Sequence, residues 1–103
     1  MVDRFLEAGF TYFDTSWAYH NGASETAVKR CLVSRHPRDR FVLASKLPTF
    51  AITREEEAEE IFAQQLERCG VDYFDYYLLH NVNWMRCRQI IRDAHLFEHM
   101  QQW

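Results

Sequence analysis

The sequence contains few glycines and prolines, the residues that are common in linkers and in the turns between repeats. It has 3 glycines and 2 prolines among 103 residues, and it contains no tandem repeat or low-complexity segment. No apolar run approaches the roughly 18 residues of a membrane span, and the opening segment lacks the basic and then apolar layout of a secretory signal. We therefore expect a cytoplasmic protein with no membrane partner.

A strong excess of one charge is also missing. The chain carries 12 basic and 15 acidic residues, for a formal net charge of −3. This balance gives no reason to expect nucleic acid as a partner.

Cysteine is scarce as well. The three cysteines, Cys31, Cys69 and Cys87, are odd in number and widely spaced, and they do not form the C-x-x-C motif of metal or redox sites. We expect free thiols, with Cys31 and Cys69 buried on the apolar stripes of helices.

Apolar and aromatic residues are abundant, at 48% and 16% of the chain, which is typical of a globular core. Three apolar runs, near residues 10–14, 41–46 and 74–80, have the composition of strands. They alternate with helical patterns over residues 2–8, 24–34 and 53–69. This alternation predicts an α/β fold with a parallel sheet. Residues 84–103 look helical in one or two pieces, with Asp93 as a possible break.

Local signals mark the ends of the predicted helices. Gly9 and Gly70 suit the left-handed position that terminates a helix. Ser24 is a plausible N-cap for the second helix, and Thr53 with Glu56 matches the S/T-x-x-E capping box of the third.

Three residues with chemical potential each close a predicted strand: Asp14, Lys46 and His80. Tyr19 lies five residues past Asp14, in the following loop. In a (β/α) barrel the carboxyl ends of the strands form the catalytic face, so these side chains would converge on one pocket. An ammonium beside a phenol favours the phenolate, which makes the phenol a usable proton donor for a carbonyl. The pattern indicates part of a carbonyl-reducing site.

The segments FDTSWAYHNGASE, LASKLP and DYYLLH resemble the aldo-keto reductase family, and the likeness covers residues 1 to about 83. The resemblance implies a (β/α)8 TIM barrel, which typically needs roughly 250 residues. We therefore expect residues 1–103 to form a single incomplete domain of about three βα units, a fragment without the N-terminal strand and the C-terminal half of the barrel. The segment after Tyr19 resembles a bacterial subgroup that often carries a C-terminal iron–sulphur segment, for which this chain has no cysteine cluster.

The resemblance also implies roles for the four residues. Tyr19 would protonate the oxygen of a small aldehyde or ketone while the nicotinamide of NADPH delivers hydride. Lys46 would assist Tyr19, Asp14 would hold Lys46 and could lie near the nicotinamide, and His80 would orient the carbonyl. The loops that bind the cofactor phosphates would follow Trp103, and no G-x-G-x-x-G or P-loop replaces them. The chain is therefore expected to be inactive alone.

Other interpretations stay open. The main alternative is a non-catalytic regulatory or partner-binding remnant of the same fold, since a fold does not imply turnover. Exposed strand edges would favour self-association. Each of the four residues, taken singly, also has an ordinary structural explanation.

Two further motifs have weaker support. The segment from His95 to His99 fits the H-x-x-E-H zinc pattern but lacks a third ligand, so no metal is expected. A basic run lies between a helix and the next strand, on the face predicted to be opposite the site, and is expected to be a solvated loop rather than a phosphate clamp. It comprises Arg35, His36, Arg38 and Arg40. No serine lies in a G-x-S-x-G elbow, which argues against a hydrolase.

Overall fold

A three-stranded parallel sheet forms the centre of the molecule. The computed structural model describes residues 1–88 and 95–103. The strands are β1 (Tyr12–Asp14), β2 (Val42–Pro48) and β3 (Tyr76–His80), in the spatial order β1-β2-β3. The predicted α/β class and parallel pairing are confirmed. The expectation that Lys46 closes its strand was wrong, because β2 continues to pair with β3 through Pro48, opposite His80.

Within residues 1–88 and 95–103, five α-helices connect or flank the strands. Short 3₁₀ turns lie at Arg38–Arg40 and Thr49–Ala51, and α2 continues into a π-helical turn at Lys29–Val33. The left-handed endings predicted at Gly9 and Gly70 are present, with φ of 92° and 71°. The helices are α1 (Val2–Glu7), α2 (Ser24–Val28), α3 (Glu55–Cys69), α4 (Trp84–Arg86) and α5 (Leu96–Gln102). Asp93, the predicted break, lies outside the described residues.

The two predicted N-terminal caps were wrong in detail. The carboxylate that caps α3 belongs to Glu57 and not to Glu56: it accepts from the backbone N–H groups of Thr53 at 2.7 Å and Arg54 at 3.0 Å. Because the helix begins at Glu55, its third residue is Glu57. Ser24 lies inside α2 and does not cap it. Its hydroxyl is instead 2.7 Å from that of Thr15.

The apolar core lies on one face of the sheet, which we call the covered face because the helices pack there. Its two clusters comprise Leu47, Ile52, Ala58 and Leu96, and Leu6, Leu32, Phe41, Leu43 and Cys69.

All three cysteines are free, as expected. Cys69 is buried but Cys31 is exposed, so the expectation for Cys31 was wrong. Cys31 follows the exposed Ala27 by four residues on one side of the helix, whereas Val28 and Leu32 face the core.

The other face of the sheet has little cover, and we call it the open face. Side chains alternate between the two faces along a strand, and paired residues of parallel strands share a face. Tyr12, Tyr76 and Leu78 point to the open face and are 48%, 59% and 44% exposed. Among the helices of the described residues, none has both the length and the apolar character needed to cross a membrane.

Candidate active site

Asp14 and Lys46 meet on the open face. Asp14 is paired with Ala44 in the sheet, and Lys46 lies two residues further along β2 on the same face. The Lys46 ammonium donates to Asp14 Oδ1 and, at 2.9 Å, to the carbonyl oxygen of Thr15. The Lys46 side chain is 13% exposed, against 39% for Asp14. The cation is therefore held against the end of β1 by a carboxylate at the surface.

Tyr19 reaches the same place from the loop between β1 and α2. Its ring centroid lies 4.7 Å from the Lys46 ammonium. The Tyr19 carbonyl accepts from the N–H groups of Gly22 at 3.1 Å and Ser24 at 3.2 Å, which close a tight turn. His20, Asn21 and Gly22 all have left-handed backbone, with φ of 53°, 54° and 85°. For His20 this conformation costs roughly 1 to 2 kcal/mol, whereas asparagine adopts it more readily.

His80 completes the group from the end of β3. Its Nδ1 is 2.9 Å from the hydroxyl of Ser16. Its ring stands edge-on to Tyr19, with centroids 5.7 Å apart, and lies 5.9 Å from the ring of Phe50. Since Ser16 engages Nδ1, the nitrogen available to a ligand is Nε2. The structure thus brings together all four residues named from the sequence.

The charges of this group act on one another. Burial by itself lowers the pKa of Lys46, but the hydrogen bonds and charges of Asp14 and Tyr19 together act more strongly, so the pKa lies above its ordinary value. Burial and the positive charge of Lys46 lower the pKa of His80, against a weaker opposing effect of Asp14. At neutral pH the group therefore holds a charged lysine beside a neutral imidazole.

A buried polar network lies directly behind Lys46, on the covered face. Glu25 Oε1 accepts from Ser45 Oγ at 2.8 Å and from Gln65 Nε2 at 2.6 Å. Gln65 also donates to the Lys46 carbonyl at 2.9 Å and accepts from Tyr77. Burial raises the pKa of Glu25, although these donors and Arg68 oppose the shift.

Sequence reasoning missed these supporting residues. Ser16 could have been found, because it follows the Asp-Thr end of β1 and its hydroxyl is the next polar group toward the site. Glu25, Gln65 and Arg68 gave no local signal, since their partners lie far away in the chain.

The basic run is engaged by carboxylates. Arg35 and His36 pair with Asp3, and Arg38 donates to Asp75 at 2.8 Å. These residues precede β2 and so lie at the opposite end of the sheet from the site, as predicted. The loop is largely exposed, and the ion pairs tie it to α1 and to the segment before β3.

The histidines of the H-x-x-E-H segment share one carboxylate. His99 Nε2 and His95 Nδ1 lie 2.9 Å and 3.5 Å from the two oxygens of Glu55. Within residues 1–88 and 95–103, no group of three or more His, Cys, Asp or Glu side chains is arranged to hold a metal ion. The motif therefore connects α5 to the start of α3.

Comparison with known proteins places these residues in context. A model of the Aldo/keto reductase family matches residues 1–87. An aldo-keto reductase of Mycolicibacterium smegmatis is 40% identical over 82 residues, which are 77% of this chain and 27% of that protein. The putative aryl-alcohol dehydrogenase AAD6 of Saccharomyces cerevisiae is 41% identical over 49 residues, which are 48% of this chain and 23% of that protein.

Solved structures agree with the family match. An aldo-keto reductase from Klebsiella pneumoniae in complex with NADPH superimposes with a TM-score of 0.69 at 25% identity, over 90% of this chain and 34% of that one. MGS-M4, an aldo-keto reductase enzyme from a Medee basin deep-sea metagenome library, gives a TM-score of 0.69 at 29% identity. The superposition covers 95% of this chain and 36% of that chain. The chain spans about a quarter of the length of the curated relatives it matches.

Proposed function

Because this chain belongs to the aldo/keto reductase family, we propose that Asp14, Tyr19, Lys46 and His80 are the catalytic group of an NADPH-linked reductase of small aldehydes or ketones. The observation that carries this proposal is the position of the Lys46 ammonium between the Asp14 carboxylate and the Tyr19 ring. The solved relative that binds NADPH supports the choice of cofactor.

Tyr19 is the proton donor in this proposal. Its phenol releases a proton to the carbonyl oxygen, and the neighbouring Lys46 ammonium stabilises the phenolate that remains. Two unit charges about 4 Å apart interact by about 4 kcal/mol at an effective dielectric of about 20, but by only about 1 kcal/mol in water. Tyr19 is 38% exposed. The benefit of Lys46 therefore depends on how far substrate and cofactor exclude water from Tyr19.

His80 orients the substrate. The Ser16 contact fixes the imidazole through Nδ1, and Phe50 and Tyr19 flank the ring. Its lowered pKa keeps the ring neutral at pH 7. A neutral ring whose Nδ1 accepts from Ser16 presents Nε2–H, which can donate to the carbonyl oxygen that Tyr19 protonates.

The described residues fit the reacting end of NADPH better than its phosphates. When bound, the nicotinamide would supply hydride, and we propose that the carboxylate of Asp14, which is 39% exposed, lies near it. The N-terminus of α3 follows β2 at the same edge of the sheet, where phosphate often binds to a helix. Its first turn carries Glu55, Glu56 and Glu57, whose charges would repel the pyrophosphate of NADPH. Because the phosphates have no favourable site here, we propose that the chain on its own does not hold NADPH tightly.

The roles of the four residues can be tested in a chimera. The 82-residue stretch of the M. smegmatis relative that matches this chain is replaced by the corresponding residues of this chain, and reduction of an aldehyde accepted by the unaltered host is measured. We expect activity in the chimera and a loss of about 100-fold or more with Tyr19→Phe, as for removal of a general acid. Tyr73→Phe is the matched control, because Tyr73 stacks on Arg38 away from the site and a phenyl ring keeps that contact.

Each proposal has one outcome that would contradict it. Full activity of the Tyr19→Phe chimera would remove Tyr19 from the reaction. Saturable enhancement of NADPH fluorescence by the purified chain, followed by Tyr19-dependent oxidation when an aldehyde is added, would support Tyr19 as the proton donor but contradict the proposal that the chain alone does not hold NADPH tightly.

The uncovered sheet favours a second candidate, a partner-binding module of the same fold. Tyr12, Tyr76 and Leu78 form an exposed apolar surface beside the proposed catalytic group. A chimera that folds but gives no turnover, although its parent reduces the same aldehyde, would favour this candidate over catalysis.

A further inference from the structure

We propose that Arg68, on α3, is a positioning residue that holds the Tyr19 loop over Lys46, and that the buried carboxylate of Glu25 holds Arg68 in place. Positioning of Tyr19 matters for turnover only if the proposed function is right, but the contact itself can be tested without turnover.

Arg68 binds the loop on both sides of Tyr19. Its Nη2 donates to the carbonyl oxygen of Gly22, three residues after Tyr19. Its guanidinium carbon lies 4.4 Å from the ring centroid of Trp17, two residues before Tyr19. A stacked guanidinium that also donates a hydrogen bond fixes both distance and direction. The loop is thereby attached to the third helix at its two flanks.

The loop needs such an attachment because its backbone is strained. His20 and Asn21 both adopt left-handed backbone immediately after Tyr19. Residues in sparsely populated conformations persist where surrounding contacts hold them, and they concentrate at functional sites. The hydroxyl pair of Thr15 and Ser24 closes the base of the loop. The contacts of Arg68 hold the part of the loop nearer its tip, at Trp17 and Gly22.

Glu25 connects this contact to Lys46. Its side chain has no exposed area, and Oε2 lies 3.5 Å from Arg68 Nε. A buried carboxylate is costly unless a cation or hydrogen-bond donors face it, so Glu25 and Arg68 constrain each other. The other oxygen, Oε1, accepts from Gln65, which also donates to the Lys46 carbonyl. One carboxylate therefore fixes both the Tyr19 loop and the strand that carries Lys46.

The composition of the chain provides a direct readout. Lys46 and Lys29 are its two lysines. Pulse labelling with acetic anhydride across a pH series, followed by mass spectrometry, gives a separate titration midpoint for each amine. Tyr19 is one of the contacts that raise the pKa of Lys46. Releasing the loop should therefore lower the Lys46 midpoint.

The test variant is Arg68→Gln. We expect its Lys46 midpoint to fall and the labelling rate of Lys46 relative to Lys29 at pH 8 to rise by about twofold or more, because the labelled form is the free amine. Lys29 reports the packing of α2 on α3, since its side chain contacts Gly70 and the Glu67 carbonyl, so unfolding would change both lysines. Arg30→Gln is the matched control, because it removes the same charge from an exposed position.

A double variant separates positioning from general loosening. Tyr19→Phe removes the hydroxyl and should also lower the Lys46 midpoint. If Arg68 acts through Tyr19, the variant carrying both Tyr19→Phe and Arg68→Gln should show no further fall beyond the larger single effect. Additive shifts, or a midpoint unchanged by Arg68→Gln, would overturn the proposal.

Trp17→Leu covers the case in which Arg68→Gln does not fold. It removes the surface on which the guanidinium stacks and leaves Glu25 paired with Arg68, and it should shift Lys46 in the same direction by less. No shift in a folded Trp17→Leu protein would count against the proposal. None of these measurements uses NADPH, so an inactive chimera would reject the proposed function without touching this inference.

Discussion

The two faces of the central sheet differ in what lies against them. On the covered face, Leu43 and Leu47 have no exposed area and pack under α-helices, beside the fully bonded amide of Gln65. On the open face, Tyr12, Tyr76 and Leu78 remain exposed, and the proposed catalytic group lies among them. Neighbouring residues of a single strand, Ser45 and Lys46, therefore have opposite surroundings.

The comparison shows that two properties of the proposed site come from different faces of the sheet: the positions of its side chains and their exposure to water. The covered face fixes where Lys46 and Tyr19 lie, through the network around Glu25. The open face leaves Asp14 and Tyr19 accessible to water, where charge interactions are weakest. The chain thus arranges the proposed catalytic group without supplying the low dielectric that such a group needs for strong electrostatic effects.

The largest expected difference between the faces is in packing energy. Leu43→Ala on the covered face should lower the free energy of unfolding by about 3 kcal/mol, because truncating a fully buried leucine leaves a cavity. Leu78→Ala on the open face is the matched control and should cost about 0.5 kcal/mol or less. Urea unfolding followed by circular dichroism measures both. Equal losses would mean that something covers Leu78 in solution.

The open face should also control assembly. We propose that two copies associate through it, since β1 and β3 are the edges of the described sheet and carry exposed aromatic residues. Leu78→Lys should weaken association by about tenfold or more, equivalent to about 1.4 kcal/mol. Sedimentation velocity over a concentration series measures this.

The matched control for assembly is Phe97→Lys, which places the same charge at an exposed apolar residue of α5. It should leave association unchanged. A sharply melting monomer of the unaltered chain would contradict the idea that the open face needs cover.

The sequence predicted what depends on local pattern. The three strands, the helix endings at Gly9 and Gly70, and the convergence of Asp14, Lys46 and His80 follow from period, turn chemistry and the rule that parallel strands end on one edge. The structure bears out these features because each depends on neighbouring residues or on topology.

The remaining features depend on contacts between distant segments. Cys31 lies outside the core because the helix packs through Val28 and Leu32, and the apolar pattern did not show which part of the stripe would be covered. The roles of Glu25 and Arg68 arise only when α2 and α3 pack together behind β2. A glutamate in the first turn of a helix and an arginine near a helix end both look like surface residues in sequence.

A smaller effect concerns the cap of α3, on the covered side. Backbone and hydroxyl hydrogen bonds from Thr53 and Arg54 lower the pKa of Glu57 to about 2. A carboxyl whose folded pKa is depressed stabilises the folded state above its ordinary pKa of 4.5, and this contribution is lost as pH falls from 4.5 toward 2. Glu57→Gln should remove that part of the pH dependence of melting and helicity. Glu56→Gln should leave this pH dependence in place. If Glu56→Gln removed it instead, the capping carboxylate would be that of Glu56.

The smallest expected effect lies on the open face, at His80. Burial and the Lys46 charge lower its pKa from the ordinary 6.5, so the folded chain resists protonation there while the unfolded chain does not. The stability associated with neutral His80 is therefore complete above pH 6.5 and is lost as pH falls below it. The melting temperature should fall more between pH 8 and pH 5 in the unaltered chain than in His80→Gln. His20→Asn, which suits the left-handed backbone of an exposed loop position, should leave this slope unchanged. If His80→Gln kept the full slope, the imidazole would not be held beside Lys46 in solution, and the open face would lack the geometry as well as the dry environment of a catalytic site.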